Sequence, residues 1–247
     1  MTGPGVLAVF AHPDDESLSA GGLLASSAAA GARTAVVSAT WAEGTVRARE
    51  LAAAVELLGV QEPPRTLGYA DAQVPESAPG SPRFVDAPLD EAVRRLVGHI
   101  RELRPDVVVT HDTFGGLTGH EDHVQTYRVA ALATQAAGLD LYPDAGEPWR
   151  PEALLLATHP EAVVAGLRDV VGAQRAVHGV PDELITDRLD VTPWLEAKIA
   201  AILAHRTEVE RGAVPGLVAA AAPEARAALL STEWFIRWDP FPPGPAR

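Results

Sequence analysis

Residues 11–16 read Ala-His-Pro-Asp-Asp-Glu, an imidazole and three carboxylates in one short stretch, and residues 119–123 read Gly-His-Glu-Asp-His. His12 and Asp15 are three apart in a tight turn, so an imidazole and a carboxylate can meet at one point. His123 can close the triangle from the second cluster. Two nitrogens and one oxygen, with a position left for water, is the ligand set of a catalytic zinc site and not of a closed structural one. Either cluster alone reads equally well as helix N-caps and solvated turn residues, because Asp is favoured there. Taken together they favour the metal.

Such residues must be held by something rigid. Each cluster follows an apolar run, Val6-Leu7-Ala8-Val9-Phe10 and Val107-Val108-Val109-Thr110, short enough and β-branched enough to be buried parallel strands. Strands are expected near 6–10, 34–40, 64–67, 106–110 and 153–157, and helices near 16–30, 46–58, 88–104, 122–137, 161–176 and 193–210. That βαβα order predicts an α/β fold, a Rossmann-like, mostly parallel sheet with helices on both faces, in which strand ends are where ligands bind. Residues 73–88 are rich in Pro, Ser and Gly and read as a loop able to wall a site; 211–223 are punctuated by Gly and Pro. Trp234, Phe235, Ile236 and Trp238 alternate enough to dock as a late strand, and the tail 239–247 is expected to be extended.

The two motifs carry a resemblance. AHPDDE at 11–16 and HEDH at 120–123 match the (P/A)HPDDE and HxDH pattern of the zinc-dependent N-acetylglucosamine deacetylases. That family includes the phosphatidylinositol-GlcNAc de-N-acetylases (PIG-L), the LmbE-like proteins, and the deacetylase and amidase of mycothiol metabolism. Weaker likenesses run through residues 40–44, 47–51, 67–71 and 198–205, so the resemblance covers most of the chain as a single domain, 1–247. It implies that His12, Asp15 and His123 hold one divalent metal ion, zinc by preference and iron as an alternative. It further implies Asp14 as general base, His120 as the group that stabilises the oxyanion or protonates the leaving amine, and Asp122 as the residue orienting His120. The chemistry supports those roles, since an amide needs an activated water, a polarised carbonyl and a proton for the departing nitrogen.

Other residues carry two readings each. Arg47 opens an amphipathic helix near the same rim and matches an arginine that contacts the second ring in the mycothiol deacetylase pattern; it is also read as a solvated partner in an Arg-Glu helical pair. Asp71 shares that ambiguity, and His111 ends a strand from which it could touch substrate. Glu16 is either a partner aiming His12 or a first-turn acid favoured by the helix dipole. His99 and His205 read as structural, and His159 and His178 have weaker claims on a site. Thr118 stands where mycothiol-pathway relatives commonly carry tyrosine.

Bulk properties narrow the partners. The 247 residues are 47% hydrophobic, enough for one substantial core, and contain no cysteine, which leaves His and carboxylates as the metal ligands. A net charge of −13 argues against nucleic acid or an anionic membrane as partner. No basic leader and no run of about 20 apolar residues is present, so a cytoplasmic protein is expected. A small N-acetylated sugar or glycoconjugate fits best as substrate. Three functions follow: a deacetylase of a GlcNAc-type amino sugar, an amidase of a larger conjugate with the choice set by 73–88 and 211–223, or a sugar-binding protein that keeps the metal without turnover.

Overall fold

The computed structural model describes residues 3–171 and 177–242. Five strands, β1 (Val6–Phe10), β2 (Thr34–Thr40), β3 (Arg65–Tyr69), β4 (Val107–His111) and β5 (Ala153–Thr158), run parallel in the order β3-β2-β1-β4-β5. Beyond β5 the sheet continues with β7 (Thr232–Trp238) and ends with β6 (Asp187–Asp190), both joints antiparallel. The first four crossovers use α1 (Asp15–Ala29), α2 (Val46–Leu57), α3 (Leu89–Leu103) and α4 (Glu121–Ala137); α5 is Glu161–Val171. The strand order reverses at β1, whose neighbours are β2 and β4. A crevice at the carboxyl ends of β1 and β4 is the position where this class of sheet binds ligands.

Alternation along the strands gives each face its core. Leu7, Val9, Val37 and Leu154 point to one side, where α3 and α4 supply Leu96, Ile100, Val129 and Ala133. Val6, Ala8, Phe10 and Val109 point to the other and meet Leu24, Leu51, Val55 and Ala201 of α1, α2 and α6 (Leu195–Ala204). Helices therefore cover both faces of the sheet, as expected. Among the described residues no helix is long and apolar enough to cross a membrane.

Two expectations about elements need correction. The helix expected over 193–210 is two, α6 and α7 (Arg206–Arg211), broken where His205 takes φ −77 and ψ 66. Residues 211–223 are not simply loop, because α8 (Val214–Ala220) forms there and α9 (Pro223–Leu230) follows; each has a proline in its first turn, where the missing N–H costs nothing. The edge strand β6 was not anticipated. Of the expected helix 161–176, residues 172–176 lie outside the described residues, as do 243–247 of the tail; residues 239–242 carry neither helix nor strand. The late strand at 234–238 is present as part of β7 and pairs with β5.

Candidate active site

Two strand-to-helix connections build the site. After β1 the chain turns through Ala11, His12, Pro13 and Asp14 and enters α1 at Asp15. After β4 a glycine-rich loop leads to His120, whose side chain caps α4 by accepting from the Asp122 N–H at 3.2 Å. Asp112 shapes that loop: its Oδ1 accepts from the N–H groups of Phe114 and Gly116, both at 2.9 Å. Gly115 in this loop has φ +82, and a Cβ there would stand 3.1 Å from the Cβ of His123. Its carbonyl meets His123 Nδ1 at 3.0 Å, which leaves His123 Nε2 free to act as a ligand. Register aligns the two turns, since Val6–Ala8 pair with Val107–Val109.

His12, Asp15 and His123 converge. His12 Nδ1 lies 3.1 Å from His123 Nε2 and 3.3 Å from Asp15 Oδ2, and His123 Nε2 lies 3.2 Å from Asp15 Oδ1. Tetrahedral ligands about 2.0–2.1 Å from a zinc ion stand about 3.3 Å apart, so the triangle has the size such an ion demands. The electrostatics point the same way. Burial by itself lowers the pKa of His12, yet Asp122 and Asp15 outweigh it and raise the value to about 10. Burial raises Asp15, but His123 and His111 outweigh it and hold the carboxyl well below its ordinary value. A pocket that draws positive charge this strongly suits a divalent cation. Ligand-type atoms of His12, His120 and His123, and of Asp15, His111 and His123, also cluster within 4.8 Å.

Asp14 stands next to this triangle in an unusual backbone conformation, φ 130 and ψ −29. Its N–H donates to Glu16 Oε2 at 3.0 Å, and its carboxylate accepts from Arg47 at 3.2 Å. Burial, then the charge of Asp15, raises its pKa to about 7 against the opposing pull of Arg47. Arg47 also donates to the Pro13 carbonyl and pairs with Glu208 of α7 at 3.3 Å, while its guanidinium lies 4.7 Å from the Trp41 ring centroid. Arg47 is thus buried, and the solvated Arg-Glu pair is not what forms. Glu16 does not reach toward His12. Its carboxylate meets His205 Nε2 at 2.9 Å and Ser17 Oγ at 2.6 Å, so it braces the turn under Asp14.

The remaining residues fall around the ring of His12. Asp122 Oδ2 lies 3.2 Å from His12 Nε2 and accepts from the Ala72 N–H at 2.9 Å, whereas His120 Nδ1 is 3.9 Å away. The Asp122 carboxylate therefore aims His12, and the contact of Asp122 with His120 is made by its backbone N–H and not by its carboxylate. His120 packs edge-on against the His12 ring, centroids 4.7 Å apart, and burial followed by the neighbouring His12 lowers its pKa. Asp71 reaches His12 Nε2 at 3.4 Å with one oxygen and takes the N–H groups of Gln73 and Val74 with the other. His111 is 2% exposed, stacked on His123 at 3.9 Å and 3.4 Å from Asp15 Oδ2, so it backs the triangle. Sequence reading missed Glu208 and Gly115, whose signals are a charge on an exposed-looking helix and one glycine among several. His159 is half-buried, and His178 is exposed and packs against Gly119.

Residues 7–134 match the family described as GlcNAc-PI de-N-acetylase, PIG-L. The chain is 37% identical over 238 residues to the 1D-myo-inositol 2-acetamido-2-deoxy-alpha-D-glucopyranoside deacetylase of Rhodococcus jostii (strain RHA1), covering 83% of this chain and 81% of that one. Among solved structures, a conserved protein of Thermus thermophilus superimposes with TM-score 0.68 at 26% identity, covering 99% of this chain and 100% of that one. The N,N'-diacetylchitobiose deacetylase of Pyrococcus horikoshii shares the fold with TM-score 0.65 at 19% identity, covering 96% and 84%.

Proposed function

This chain belongs to the PIG-L family of de-N-acetylases, and from that premise we propose that it hydrolyses the N-acetyl group of a GlcNAc-type amino sugar or glycoconjugate. The observation that carries the reading is the meeting of His12 Nδ1, His123 Nε2 and the Asp15 carboxylate within 3.1–3.3 Å, with Asp14 in the adjoining position. We read 1–247 as one deacetylase domain.

His12, Asp15 and His123 would hold a zinc ion, which when bound would supply Lewis acidity for the water and the acyl carbonyl. Asp14 takes a proton from the attacking water, as a carboxylate held beside the triangle by Arg47 is placed to do. His120, beside the His12 ring, stabilises the charge that develops on the acyl oxygen, and the proton that Asp14 took from the water passes to the amine as the C–N bond breaks. Asp122 and Asp71 keep the His12 ring turned so that Nδ1 faces Asp15 and His123. Arg47 holds Asp14 in place and, lying at the same rim, is the residue we assign to the polar part of the substrate together with Asp71.

The test is free-amine release from GlcNAc, GlcNAc-inositol and a GlcNAc glycoside by metal-loaded and chelator-stripped protein. Release that stops on chelation and returns with zinc is expected, with GlcNAc-inositol first in the ranking because the Rhodococcus relative is named for it. Return with iron and not zinc would reassign the ion. No release from any of the three with metal bound overturns the acetyl-sugar reading.

A further inference from the structure

A cavity of about 130 Å³ adjoins the metal triangle, with Asp15, His111 and His123 in its wall. The rest of the wall is largely aliphatic and aromatic: Leu117, Ala157, Leu217, Val218, Leu229 and Trp234. Asp14, Arg47, Asp71, His120 and Asp122 are not part of it. The surroundings of the triangle are thus divided by polarity. Sugar hydroxyls need the polar rim, because an apolar wall offers them no partners and stripping their water without replacement is costly. The apolar cavity suits the other half of an amide, the acyl chain.

Its size exceeds what acetate requires. A single water-sized group needs about 10–15 Å³ of this kind of space, so an acetyl methyl fills roughly a tenth of the cavity. The charged pair in the wall is already engaged, and so is Thr158. Lys198 donates to Glu233 at 2.6 Å, Glu233 accepts from the N–H groups of Gly22 and Leu23, and Thr158 donates to Asp112. His159 is kept neutral, its pKa lowered to about 4 by burial and then by Lys198. The cavity therefore offers no unpaired charge to an acyl group that carries one.

We infer that this cavity is an acyl subsite and that the protein removes uncharged N-acyl groups of about four to eight carbons as well as acetyl. The inference rests on the hydrolase reading above and names the substrate class of the same site. The reaction balances as before: the amide C–N bond breaks, the water oxygen becomes a carboxylate oxygen, and both water protons end on the nitrogen as the ammonium product. Each methylene that finds the apolar wall contributes a factor on the order of four to binding. The walls at Leu217, Val218 and Leu229 belong to α8 and α9, which places acyl selectivity in the segment after α7.

The experiment measures kcat/KM of the zinc-loaded protein on one glucosamine glycoside N-acylated with acetyl, butanoyl, hexanoyl or succinyl. Hexanoyl is expected within tenfold of acetyl or above it, with succinyl at least tenfold below butanoyl. Leu217→Trp should lower the hexanoyl-to-acetyl ratio at least tenfold, and Val218→Ala, which enlarges the cavity, should raise it. A circular dichroism spectrum and melting curve accompany both variants; if Leu217→Trp fails to fold, the direction of the Val218→Ala ratio decides. Acetyl turnover with butanoyl and hexanoyl below a hundredth of it overturns the acyl subsite and leaves the deacetylase reading standing. No turnover of any amide with zinc bound overturns the hydrolase reading itself. Hexanoyl turnover without acetyl supports the subsite and overturns only the acetyl assignment.

Discussion

Asp14 sits at φ 130, where a side chain costs about 1–3 kcal/mol of backbone strain, and it does so in the turn between two proposed metal ligands, His12 and Asp15. The strain is sustained by the Glu16 carboxylate on its N–H and Arg47 on its side chain. Asp14→Asn keeps that shape and removes only the base, so metal content by elemental analysis should stay near one equivalent while turnover falls about 100- to 10,000-fold. Loss of metal in this variant would exchange the roles of Asp14 and Asp15. His123→Ala removes a ligand, and the same metal assay should show occupancy falling together with activity. At this scale the convergence of His12, Asp15 and His123 was legible in the sequence, because AHPDDE and HEDH hold all three within two short strings. What lay hidden was direction. Nothing in the spacing says that Asp122 faces His12 and not His120, or that Glu16 turns away to a histidine 189 positions on.

Interrupted helices do the bracing at the scale of elements. α1 leaves helical geometry at Ala20, φ −144, and the N–H groups of Gly22 and Leu23 that follow the break donate to Glu233 of β7 at 2.7 and 2.9 Å. Gly22 fits because a Cβ there would stand 2.0 Å from Val191 Cγ1. Gly22→Ala should therefore cost at least about 1–3 kcal/mol, lowering the melting midpoint by about 2–10 °C in calorimetry. The break at His205 presents that ring to Glu16, and the pair gives stability a pH dependence. Burial opposes both charges, but the pairing wins: His205 is raised above its ordinary 6.5 and Glu16 lowered below its ordinary 4.5. The histidine's contribution is complete below 6.5 and is lost as pH rises through its folded value; the glutamate's is complete above 4.5 and is lost as pH falls through its own. Melting of wild type and His205→Gln from pH 4 to 9 should differ most between about 4.5 and 6.5, and a difference independent of pH would sink this account. Strands β1 and β2 were readable to the residue from their apolar runs. Helices α8 and α9 were not, because proline in a first turn looks like a breaker until the turn around it is known. β6 escaped because its sequence, Asp-Arg-Leu-Asp, is charged in the manner of an edge strand.

Across the whole molecule, the reversal of strand order at β1 brings residues of the first 123 positions into one crevice, and the antiparallel return of β7 brings the last third of the chain back over it. A divalent ion in the proposed triangle would offset the charge of the carboxylates around the His12 ring, so removing it should loosen the ends of β1 and β4. Chelator-treated protein should melt lower than the zinc-loaded form, by an amount that grows with free zinc concentration, and an unchanged midpoint would mean that the triangle does not bind zinc in the folded state. The overall α/β order was evident from alternating apolar runs, while the antiparallel extension depended on contacts between distant segments that no local pattern encodes. The clasp of Glu16 by His205 and of Arg47 by Glu208 also sets an order of events during synthesis. The chain leaves the ribosome amino end first. The three proposed ligands have all emerged with residue 123, but Asp14 gains its full bracing only when α7 has followed. The proposed metal triangle is thus complete in the chain before the bracing of the proposed base is.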